Sequence, residues 1–216
     1  MIATSNALRR FDITTGTHDV ICPLEADNNV TRSNDGRADP QGGFWIGTMG
    51  VQAEPGAGAI YRYYKGAVRK LFAQVTISNA ICFSPDGKTA YFTDTPTQKI
   101  MRVALDAQGW PADEPTVFID LTGTDFRPDG AVVDASGNLW NAQWGVGRVA
   151  GYDPNGRFIE SFSFAAKQTS CPAFGGDDLM TLFCTSAAVG VKGDAQGKTY
   201  SAATQYKGQA EHQVIV

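Results

Sequence analysis

A chain of 216 residues with 43% hydrophobic and 19% charged residues has neither a disordered nor a membrane-like composition, and it can bury roughly 70% of its extended surface. Eighteen Lys+Arg against 22 Asp+Glu give a net charge of −4 with no basic block, which argues against a nucleic-acid partner. No apolar run reaches the ~18–20 residues that span a bilayer, and the first residues lack the charged and apolar regions of a leader.

Four cysteines (Cys22, Cys82, Cys171, Cys184) contain no CxxC pair and read as free thiols, so the expected setting is cytoplasmic. Along the chain, short apolar-alternating runs bounded by Gly, Pro, Asp and Asn take the place of any helical period. Asp39-Pro40-Gln41-Gly42-Gly43 leads to Phe44-Trp45, and the loop Gly56-Ala57-Gly58 leads to the strand Ala59-Ile60-Tyr61-Arg62-Tyr63-Tyr64. Ser84-Pro85-Asp86-Gly87-Lys88 precedes Tyr91, Asp134-Ala135-Ser136-Gly137-Asn138 precedes Leu139-Trp140, and Asp153-Pro154-Asn155-Gly156 precedes Phe158-Ile159. A fainter copy runs from Gly175-Gly176-Asp177-Asp178 to Phe183. Such turn chemistry between β-branched and aromatic runs predicts consecutive hairpins.

The aromatic anchors Trp45, Tyr91, Trp140 and Phe183 lie 46, 49 and 43 residues apart. A period near 46 with room for four strands is the signature of β-propeller blades. The expectation is an all-β chain, one propeller domain over residues 1–216 with about 4.7 blades. Residues 1–25 read as the outer strands of a blade, so the chain is expected to begin inside one and to lack its first blade or more.

Counting back from the anchors aligns three polar residues. Asn34 lies 11 before Trp45, Asn79 lies 12 before Tyr91, and Asp129 lies 11 before Trp140. Equivalent positions in a propeller ring the axis, so these side chains are expected to converge. Asp86 shares a Pro-Asp-Gly triplet with Asp129 but sits five residues before its anchor, and it reads as a turn residue. Two amides and a carboxylate form an oxygen-only donor set suited to Ca²⁺, Mg²⁺ or Mn²⁺, with Zn²⁺ possible when water completes the shell. His18 and His212 are expected at the surface, away from a joint site, which leaves no His-based zinc centre. There is no Gly-x-Ser-x-Gly elbow, and Gly197-Lys198-Thr199 lacks the leading glycine of a phosphate loop.

The strings Asn34-Asp35-Gly36-Arg37-Ala38-Asp39-Pro40 with Trp45-Ile46-Gly47-Thr48-Met49, then Ile77-Ser78-Asn79, Pro128-Asp129-Gly130 and Gly147-Arg148-Val149, in this order, resemble the SMP-30/gluconolactonase/regucalcin family. The resemblance covers roughly residues 30–185. It implies a six-bladed β-propeller with one divalent cation on its axis, hydrolysing lactones of sugar acids. It gives Asn79 and Asp129 the role of metal ligands, alongside a Glu that would lie upstream of Met1. Arg32 and Asn34 take the role of a substrate-binding pair, and Glu54 falls near the family's substrate lid. One departure stands out: Ala80 follows Asn79 where the family usually has glycine.

The implied mechanism polarises the lactone carbonyl at the metal and uses Asp129 as catalytic general base. Arg32, Asn34 and Glu54 would orient a small sugar lactone. The alternatives are a non-catalytic metal-binding propeller and an interaction scaffold working through the propeller's faces. The sequence leaves the oligomeric state open.

Overall fold

The computed structural model describes all residues, 1–216, and the chain is all-β with one 3-10 turn at Thr95–Thr97. Strands form five antiparallel sheets, each a meander in which spatial order follows chain order. The first holds β1 (Ile2–Ala3), β2 (Ala7–Phe11) and β3 (His18–Pro23). The second holds β4 (Thr31–Ala38), β5 (Phe44–Gly50), β6 (Gly58–Tyr64) and β7 (Ala67–Val75). The third holds β8 (Ser78–Phe83), β9 (Thr89–Asp94), β10 (Lys99–Ala104) and β11 (Thr116–Asp120). The fourth holds β12 (Arg127–Val133), β13 (Leu139–Trp144), β14 (Arg148–Tyr152) and β15 (Phe158–Ser163), and the fifth β16 (Gln168–Gly175), β17 (Thr181–Ala187) and β18 (Tyr200–Ala203).

Two compact units divide the chain, one comprising residues 1–78 with 212–216, the other residues 79–211. In the first, Leu8, Leu24, Ile46, Tyr61 and Tyr63 build a core between the first two sheets, with Val214 packed against it. In the second, Cys82, Tyr91, Ile100, Phe118, Val133 and Tyr152 fill the space between the third and fourth sheets. Val132, Trp140, Leu182 and Cys184 do so between the fourth and fifth.

The predicted hairpins are present, and aspartates build their turns. Asp39 Oδ1 accepts from the backbone N–H groups of Gln41 and Gly43, and Asp134 Oδ1 from those of Ser136 and Asn138. Asp153 serves Asn155 and Arg157 in the same manner. Asp86 is a turn residue, its Oδ1 accepting from Ser84 Oγ at 2.6 Å and from Lys88 N at 3.0 Å. A carboxylate satisfying the inner N–H groups of a tight turn is the reason Asp recurs there.

Three anchors, Trp45, Tyr91 and Trp140, are buried as expected, but Phe183 is 38% exposed and Leu182 is fully buried. The fourth repeat is therefore registered one residue earlier. Leu182 pairs with Phe174 across β16–β17 and faces Trp140 in the core. With a side-chain period of two, a one-residue shift exchanges the faces, and two adjacent apolar residues cannot announce which is inside. The four cysteines are free, with Cys82 and Cys184 buried. His18 is exposed, whereas His212 is half-buried with its Nε2 enclosed.

Candidate functional site

Two of the three polar residues aligned from the sequence, Asn34 and Asp129, sit at a repeated irregularity. In β4, Ser33 pairs with Thr48 and Gly36 with Ile46, so Asn34 and Asp35 together face Gly47. In β12, Pro128 pairs with Gln143 and Ala131 with Asn141, leaving Asp129 and Gly130 opposite Ala142. Both are β-bulges, two residues against one, a device that re-aims a side chain out of the alternation of the strand. In β8, Asn79 precedes Ala80, whose φ of 55° lies in the left-handed region that favours glycine,. The departure from the family pattern at Ala80 thus falls where a Cβ carries a conformational penalty.

A third bulge was not visible in the sequence. Ser170 and Cys171 of β16 together face Thr185 of β17. Ser170 Oγ lies 2.9 Å from Thr185 Oγ1, which also accepts from Cys171 N at 3.2 Å. This bulge abuts the one carrying Asp129. A Cβ on Gly130 would lie 2.8 Å from Ser170 O and 3.0 Å from both Cα and Sγ of Cys171. Only glycine lets the two bulges approach this closely.

Within the second unit, hydrogen bonds link the two predicted metal ligands. Asn79 is 6% exposed, and its Nδ2 donates to Thr95 Oγ1 at 3.0 Å. Thr95 Oγ1 in turn donates to the carbonyl of Pro128, the residue before Asp129, at 2.7 Å. Asn141, fully buried on β13, donates through Nδ2 to Asp129 O at 3.0 Å and Gly130 O at 3.1 Å, so it holds the bulge from behind. Its Oδ1 is buried with no partner. Burial pushes the neighbouring Cys184 thiol up to about 12, and the negative charge of Asp129 adds to the shift.

Asn79 and Asp129 are thus tied to one hydrogen-bonded frame, and their donors fit a hard divalent cation. With the amide nitrogen committed to Thr95, Asn79 turns an oxygen to its other side, and the half-buried Asp129 supplies a carboxylate,. No three His, Cys, Asp or Glu side chains cluster to hold an ion by themselves; the candidate donors are this amide and this carboxylate.

The substrate-binding residues expected from the resemblance lie in the first unit. Arg32 Nη1 donates to Asn34 Oδ1 at 3.0 Å and to Ser33 O at 2.9 Å. Asn34 Nδ2 donates to Ser78 O at 2.9 Å, the carbonyl of the peptide bond that leads into Asn79. Arg32 and Asn34 are therefore brought together, with the asparagine held at both ends of its amide. Glu54, in the loop after β5, folds back over Gly50 and accepts from Gln52 N at 3.0 Å. Thr95, Asn141 and the Ser170–Cys171 bulge were missed by sequence reasoning, because none carries a local motif.

The profile of the SMP-30/Gluconolactonase/LRE-like region matches residues 1–188. The chain belongs to that family. Among SMP-30/gluconolactonase/LRE-like relatives, it is similar to the L-arabinolactonase of Azospirillum brasilense, 35% identical over 220 residues, covering 97% of this chain and 72% of the relative. It is 36% identical over 158 residues to the 6-deoxy-6-sulfogluconolactonase of Pseudomonas putida, covering 73% of this chain and 54% of that protein. The crystal structure of a calcium-binding protein, regucalcin, from Agrobacterium tumefaciens superposes with a TM-score of 0.96 at 46% identity, covering all of this chain and 75% of that one. The chain spans about half to two thirds of the length of several curated relatives it matches.

Proposed function

We propose that this chain serves hydrolysis of the lactone ring of a sugar acid, at a divalent-cation centre held by Asn79 and Asp129. The observation that carries the reading is the relay from the Asn79 amide through Thr95 to the carbonyl preceding Asp129. It anchors the two oxygen donors expected from the family to a common frame. The lactonases among the relatives support the reaction class.

A bound divalent cation supplies Lewis-acid polarisation of the lactone carbonyl and neutralises charge that develops on its oxygen. The Asp129 carboxylate accepts a proton from the attacking water. Water oxygen bonds to the carbonyl carbon, the ring C–O bond breaks, and the ring oxygen takes up a proton to become a hydroxyl. The new acid ionises at neutral pH, so each turnover releases one proton. Arg32, Asn34 and Glu54 are assigned to the sugar hydroxyls. Arg32 offers guanidinium donors, and Asn34, already fixed by Arg32 and Ser78 O, is preorganised for that role,.

The test is proton release from D-glucono-1,5-lactone, followed with a pH indicator in the presence of Ca²⁺ or Mn²⁺. Asp129→Ala is expected to lower cation-dependent turnover by at least about 10²-fold and to abolish the calorimetric signal of Ca²⁺ binding. Turnover unchanged by this substitution would remove Asp129 from the reaction. A second reading, calcium binding without turnover, draws on the calcium-binding Agrobacterium relative. It is favoured if Ca²⁺ binds through Asp129 while a panel of aldonolactones releases no protons.

A further inference from the structure

We propose that Thr95 is a positioning residue of this centre: it fixes which end of the Asn79 amide is offered to the cation. The inference rests on the cation centre proposed above.

An asparagine amide has two ends of nearly equal size, one a donor and one an acceptor, and only its neighbours decide which way it points. Here the decision is forced by chemistry. The Pro128 carbonyl can only accept, so the single hydroxyl proton of Thr95 is committed to it at 2.7 Å. Thr95 Oγ1 then has only lone pairs to offer Asn79, and the group 3.0 Å away must be the NH₂. The Asn79 oxygen is directed to the opposite side. A flipped amide would set oxygen against oxygen at Thr95 and present an NH₂, which cannot ligate a cation.

Thr95 is itself held in place. It opens the 3-10 turn, with Pro96 next to it, and its carbonyl accepts from Gln98 N at 3.1 Å. Gln98 closes that turn in the left-handed conformation, and its Nε2 donates to the carbonyls of Leu121, Thr124 and Phe126 at 3.2, 2.8 and 2.9 Å. These carbonyls belong to the segment that enters β12. The turn is therefore clamped to the approach to Asp129 by Gln98 and to Pro128 by Thr95. A hydroxyl so placed links the orientation of one ligand to the position of the strand carrying the other. Outer partners of this kind orient a ligand without touching the ion, and losing one commonly weakens metal affinity by about 10- to 100-fold.

Thr95→Val keeps the shape and removes both hydrogen bonds, while Thr95→Ser keeps them. Ca²⁺ titration by calorimetry is expected to show at least about tenfold weaker binding for Thr95→Val and binding within about twofold of the parent for Thr95→Ser. Melting temperatures measured in EDTA should stay close to the parent for both, while the rise on adding Ca²⁺ shrinks for the valine variant alone. If Thr95→Val does not fold, Thr95→Ala takes its place in the comparison. Equal Ca²⁺ affinity in parent and Thr95→Val, with Asp129→Ala having lost it, overturns the role of Thr95. Ca²⁺ binding that survives Asp129→Ala removes the cation centre itself, and this inference with it.

Discussion

Two turn aspartates, Asp39 and Asp134, use one oxygen identically and the other differently. Asp134 Oδ2 accepts from the indole Nε1 of Trp140 at 2.9 Å and from Asn138 Nδ2 at 2.8 Å, both neutral donors. Asp39 Oδ2 meets Arg62 Nε at 2.6 Å, and neither side chain of that pair is exposed to solvent. The guanidinium also lies over the Tyr64 ring, 4.4 Å from its centroid. Removing one partner of a buried pair leaves the other charge without compensation, a cost of about 3–5 kcal/mol. Removing the acceptor of neutral donors, as at Asp134, costs about 1–3 kcal/mol for each donor left unsatisfied. Asp39→Ala is therefore expected to lower unfolding free energy by about 3–5 kcal/mol at pH 7, read from urea denaturation. A loss below about 1 kcal/mol would mean that water reaches Arg62 and solvates it as it would a surface cation.

The first strands of four sheets, three of them bulged (β4, β12 and β16), carry the candidate site, and they show what a sequence can disclose. Hairpins were legible because their information is local: an aspartate, a glycine with positive φ and an aromatic residue fall within about eight positions of one another. The shared placement of Asn34 and Asp129 was legible for the same reason, as an offset of 11 residues from Trp45 and Trp140. The bulge at Ser170–Cys171 was hidden because its anchor is Leu182, one residue before the more conspicuous Phe183. Thr95 and Asn141 were hidden because their partners, Pro128 and the Asp129–Gly130 carbonyls, lie 33, 12 and 11 residues away and are met only after the sheets form. Bulge geometry also yields a test at Gly130. A methyl group there would press on the Ser170 carbonyl and on Cys171 Cα, which are backbone atoms that cannot swing aside. Gly130→Ala is expected to cost about 1–3 kcal/mol of stability and to weaken Ca²⁺ binding at least tenfold by displacing Asp129. A variant matching the parent in both melting and calorimetry would show that β12 and β16 can separate without moving the site.

At the scale of the whole molecule, ionisable groups fall into two sets that limit stability from opposite sides of pH. Turn aspartates Asp12, Asp86, Asp120 and Asp153 are held below the usual carboxylate value by hydrogen bonds from their own turns. Their contribution is complete above the unfolded value and lost as pH falls through the folded one. Burial acts in the opposite sense on neutral acids. It raises Tyr91 from 10.0 and the Cys184 thiol from 9.0, each to about 12, and it raises Tyr152 as well. Raised values mean that the folded chain keeps protons that the unfolded chain releases, so the contribution of these groups is full below pH 9 and declines as pH climbs from 9 towards 12. The urea midpoint is accordingly expected to hold between pH 7 and 8.5 and to fall steadily above pH 9. Cys184→Ala should make the fall between pH 9 and 10 shallower, and Tyr91→Phe should do so above pH 10. Each substitution also lowers the midpoint uniformly through lost packing, so the slope against pH is the diagnostic quantity. A midpoint that stays level to pH 11.5 in the parent would mean that these groups ionise in the folded state as easily as in water, which their burial beside Phe118 and in the Trp140 core argues against.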